Sequence, residues 1–68
     1  MDGLVALAGT LGAGVVFRPL DSSISGVVVK EDDADPIIYI NSNEPEARQR
    51  FTLAHEIGHL VERKNLAD

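Results

Sequence analysis

Two histidines, His55 and His59, stand four residues apart, and Glu56 directly follows the first, in the run His55-Glu56-Ile57-Gly58-His59. On an α-helix a spacing of four sets side chains one turn above each other. Imidazoles stacked in this way can converge on one cation, about 2.0 to 2.1 Å from each nitrogen if the ion is zinc. That is half of a tetrahedral site. Glu56 lies about 100° round the helix from His55, so it is aimed beside the ion rather than at it, within reach of a water. A carboxylate so placed is a general base: it takes a proton from water attacking a peptide carbonyl and later hands it to the leaving amine. The pattern therefore reads as His55 and His59 for the metal, Zn2+, and Glu56 for the catalysis. An exposed, metal-free histidine pair is the competing explanation.

These residues need a helix, and the sequence supplies one. Asn43 with Glu46 three residues later reads as a capping box, and Pro45 is tolerated in a first turn, so a helix is expected from about Glu44 to Arg63. At 100° per residue Leu53, Ile57, Leu60 and Val61 gather on one side, which should pack on a sheet. His55 and His59 fall on the opposite side, with Arg48, Thr52 and Glu62. Gly58 inside the helix carries a penalty of about 1 kcal/mol relative to alanine, which predicts the close approach of another segment there.

Upstream, Leu4, Leu7, Ala8 and Leu11 recur at helical spacing after Asp2, a candidate N-cap, and Gly12 and Gly14 follow where a helix end needs glycine. Three runs rich in β-branched residues come next, Val15 to Arg18, Gly26 to Lys30 and Ile37 to Ile40. Short turn-forming stretches separate them, so a three-stranded antiparallel sheet is the simplest arrangement. The acidic run Glu31, Asp32, Asp33 and Asp35 lacks the glycine and closing glutamate of a calcium loop and reads as solvated.

Composition sets the outer limits. Sixty-eight residues make a single small domain, 1–68, and the absence of cysteine removes both disulfides and thiolate metal sites. Eleven Asp and Glu against six Lys and Arg give a net charge of −5, which argues against direct nucleic-acid binding. The apolar start, Met1 to Gly14, has Asp2 where a secretory leader would be basic, and no stretch reaches the roughly 20 apolar residues of a membrane span. A cytoplasmic protein with no membrane partner is the expectation.

The segment Arg50-Phe51-Thr52-Leu53-Ala54-His55-Glu56-Ile57-Gly58-His59-Leu60 resembles the active-site helix of ImmA/IrrE-type metallopeptidases, and Ile37-Ile38-Tyr39-Ile40-Asn41 resembles the strand that precedes it there. The order of helix, three strands and helix is also similar to that family. The resemblance implies a zincin-like α+β fold and a zinc-dependent endopeptidase. It implies His55 and His59 as ligands and Glu56 as base. The implied protein substrate is a regulatory protein, typically a helix-turn-helix transcriptional repressor. That family takes a third, acidic ligand from a helix well beyond the second histidine, whereas this sequence stops at Asp68. The expectation is thus a truncated metallopeptidase domain that binds zinc weakly, hydrolyses poorly and is open to self-association. Glu62 is a weak candidate for the third ligand and Asp68 a weaker one. The alternative is a catalytically silent regulatory or binding module that docks a protein partner.

Overall fold

The computed structural model of the protein describes residues 1–66, with side chains through residue 63. Its elements run α1 (Asp2–Thr10), β1 (Gly14–Arg18), β2 (Gly26–Val29), β3 (Ile37–Asn41) and α2 (Glu46–Leu66). The α+β class and the order of elements are those expected from sequence.

The sheet is mixed, not antiparallel: its order is β1-β3-β2, with β1 parallel to β3 and β2 antiparallel to it. The reason lies in β3 and in the asparagine that ends it. Ile37, Ile38, Tyr39 and Ile40 are apolar on both faces of the strand, so β3 belongs in the middle. Asn41 then replaces the hairpin that would have joined β1 to β2. Its side chain is fully buried. The Asn41 Oδ1 accepts the Leu20 and Asn43 amides at 3.1 and 3.0 Å. Its Nδ2 donates to the Ile24, Asp21 and Leu20 carbonyls at 2.8, 3.2 and 3.3 Å. With its backbone groups satisfied this way, the 19–25 loop crosses the end of β3 and delivers β2 to the far edge.

One face of this sheet carries the core. Val15, Ile38 and Val28 share one row of the pairing register, and Phe17, Ile40 and Gly26 share the next row on that face. Against Ile38 and Ile40 pack Ala8 of α1, Ala13, and Leu53, Ile57 and Leu60 of α2. Ile38, Ile40 and Leu53 are fully buried, and each contributes about 1.5 to 3 kcal/mol by leaving water. On the other face Val16, Val27 and Val29 are exposed.

Several local expectations need correction. Asp2 lies in the first turn of α1, whose N-cap is Met1. Gly12 does take the left-handed conformation after the helix, at φ 86°. Helix α2 begins at Glu46, and its start is not held by the Asn43 capping box: Glu46 faces Arg50 at 3.5 Å, while Asn41 organises the corner. Val61 stands at the edge of the α2 stripe and is 41% exposed. Among the described residues no helix is long and apolar enough to cross a membrane.

Candidate metal centre

Helix α2 is pressed onto the sheet just before His55. A Cβ at Gly26 would lie 2.7 Å from the Thr52 Cγ2, 3.2 Å from the Tyr39 carbonyl oxygen and 3.4 Å from the Ile40 Cδ1. Only glycine permits that approach, and Thr52 sits three residues before His55. With Leu53 and Ile57 buried beneath, the helix turns its histidine face outward beside β2.

On that face the two imidazoles point at a common spot. The Nε2 atoms of His55 and His59 are 3.1 Å apart, with the rings edge to face at 4.6 Å between centroids. Two nitrogens bound tetrahedrally to zinc at about 2.0 Å stand roughly 3.3 Å apart. The separation, which is also that of a hydrogen bond between the two rings, is therefore close to that of two ligands of such an ion. Each ring is steadied by a different neighbour. Phe51, one turn before His55, stacks on it at 6.3 Å and 10° between planes. The carboxylate of Glu62 lies 3.7 Å from Nδ1 of His59. In this structure Glu62 thus faces the nitrogen of His59 that is not the one near His55. Asp68 lies outside the described residues. Among those residues no group of three or more His, Cys, Asp or Glu is arranged to hold a metal.

Glu56 is half-buried and lines a groove of about 480 Å³. One wall is the segment Ser23–Gly26, and the other is the α2 face carrying Arg48, Phe51, Thr52 and His55. The loop wall is tied down from behind. The Ser25 hydroxyl donates to Glu44 Oε2 at 2.9 Å. The Ser23 hydroxyl and amide donate to Asp21 Oδ1 at 2.7 and 2.9 Å, and these two bonds hold the Asp21 carboxyl below its usual range. At Gly58 the expected close neighbour is not found: an added Cβ would meet nothing within 4 Å among the described residues.

The structure brings the His55 and His59 Nε2 atoms together, sets Glu56 beside His55 on the groove, and has Glu62 facing the other ring nitrogen of His59. The groove wall escaped sequence reasoning because it is built by a loop fixed through Asn41, remote in sequence. Two signals were nonetheless present. Phe51 is four residues before His55, the spacing at which helical side chains meet. Gly26 opens a β-rich run, where glycine often marks a close backbone approach.

Comparison with known proteins adds a family. The profile described as the IrrE N-terminal-like domain, a metallopeptidase family, matches residues 8–67. A relative in Deinococcus radiodurans, the radiation response metalloprotease IrrE, is 42% identical over 55 residues. That stretch covers 81% of this chain but 16% of the relative, so the chain spans a small part of that protein's length. No solved structure matches at the same significance.

Proposed function

This chain belongs to the IrrE N-terminal-like domain family, and from that premise we propose that it carries the catalytic helix of a zinc-dependent endopeptidase acting on a regulatory protein. The observation that carries the reading is the 3.1 Å convergence of the His55 and His59 Nε2 atoms next to a half-buried Glu56. A zinc ion, if held by His55 and His59, would supply Lewis acidity there, the chemistry that lets water attack a carbonyl near neutral pH.

The chain's own residues do the rest. His55 and His59 would hold the ion through Nε2, leaving Nδ1 for outer partners. The Glu56 carboxylate receives the proton of the attacking water and delivers it to the departing amine. The groove between Ser23–Gly26 and α2 leads an extended segment to that carboxylate. A helix-turn-helix repressor is the substrate class that the family resemblance supports.

The test is hydrolysis of a quenched-fluorescence peptide library by zinc-loaded protein, in the 68-residue form and in any longer natural form. Glu56→Gln should lower the rate about 10²- to 10⁴-fold with zinc content unchanged. Full activity in the variant, or loss of its zinc, contradicts the role given to Glu56. Zinc binding without hydrolysis in every form favours the catalytically silent binding module instead.

A further inference from the structure

The groove beside Glu56 has a chemical bias that the catalytic residues do not explain. Its serine hydroxyls are already engaged, Ser23 with Asp21 and Ser25 with Glu44. Its apolar surface comes from Ile24 and Phe51, both exposed. Its cation is Arg48, which has no carboxylate within 4 Å among the described residues, whereas Arg50 on the neighbouring face is paired with Glu46. Glu44, one turn before Arg48, directs Oε2 to Ser25. In a protein of net charge −5, the groove carries one guanidinium, Arg48, and one carboxylate, Glu56, so its Arg48 end is a positive spot separated along α2 from the acidic one.

We infer that Arg48 selects substrate: the groove takes an extended peptide with an acidic side chain on Arg48 and an apolar one between Ile24 and Phe51. The inference rests on the peptidase reading and names the substrate class for that site. Guanidinium and carboxylate match as a fork of two parallel hydrogen bonds, which fixes register as well as charge. The register follows from helix geometry. Arg48 precedes His55 by seven residues, about 10 Å along α2 at 1.5 Å per residue. An extended chain rises about 3.3 Å per residue, so the acidic residue falls about three positions from the bond held beside His55.

The experiment measures binding without turnover. Fluorescein-labelled octapeptides carry Glu, Gln or Lys three positions before or after a central Leu-Leu, and anisotropy titrations give their affinities for the full chain. For one of the two placements the Glu peptide should bind about tenfold tighter than the Gln peptide, as expected of a hydrogen bond to a charged group. Arg48→Glu should reverse the order in favour of Lys, and Arg48→Lys should keep a reduced preference for Glu. Thermal melts by circular dichroism confirm that the variants stay folded. Equal binding of Glu and Gln peptides, no binding of either, or a preference that survives Arg48→Glu would overturn the inference. Cleavage is not read, so a chain that binds these peptides without hydrolysing them counts against the peptidase reading alone.

Discussion

At His59 the two ring nitrogens face different partners, Nε2 toward His55 and Nδ1 toward Glu62. A carboxylate on the far nitrogen of a metal-binding histidine fixes its tautomer and orients the ring, and losing such a partner typically lowers metal affinity about 10- to 100-fold. The Glu62 contact is 3.7 Å, longer than a hydrogen bond, and both side chains are more than half exposed, so Glu62→Ala should weaken zinc binding by no more than the low end of that range, while the number of ligands seen by X-ray absorption stays the same. In metal-free protein, long-range ¹⁵N–¹H spectra of His59 should show the Nδ1–H form losing population in the variant. A lost ligand, or an unchanged tautomer balance, would instead make Glu62 a ligand or a bystander. The placement of these residues was legible in sequence because it is local: His55, Glu56 and His59 belong to one helix, whose geometry fixes their relative directions. What Glu62 faces was not legible. Spacing puts it on the histidine side but cannot say which edge of the imidazole it meets.

Helix α2 holds its place against the sheet at Gly26, where the Thr52 methyl occupies the space a side chain would fill. Gly26→Ala should destabilise the protein by about 1 to 3 kcal/mol, the usual range for overpacking. Thr52→Ser removes that methyl and should recover part of the loss, with coupling in a double-mutant cycle of about 0.5 kcal/mol or more. Urea denaturation of the four proteins measures it; strictly additive effects would mean that the close contact does not set the position of α2. Element existence and order followed from patterning, in that Leu53, Ile57 and Leu60 are buried as the helical period required. Strand order did not. Short runs such as Gly26–Val29 carry no record of their neighbours, and the pairing is decided by the buried Asn41, which reads in sequence as a strand stop. The same non-local origin hid the Ser23–Gly26 wall of the groove.

The described residues form a two-layer unit in a 68-residue sequence without cysteine, and for a unit of this size a net stability of about 3 to 10 kcal/mol is typical. So small a reserve makes a metal bound to the folded state a measurable stabiliser. Arg48, His55 and Glu56 line one groove on α2, so a peptide bound along it as proposed would meet both Arg48 and Glu56. The central claim is that His55 and His59 form the metal site and that Glu56 works beside it. Calorimetric titration with zinc of wild type, His59→Ala and Glu56→Gln tests it most directly. Wild type and Glu56→Gln should bind one ion per chain with the same affinity. His59→Ala should bind more weakly by a larger factor than the about 10- to 100-fold associated with outer partners. Equal affinities for wild type and His59→Ala would contradict the account.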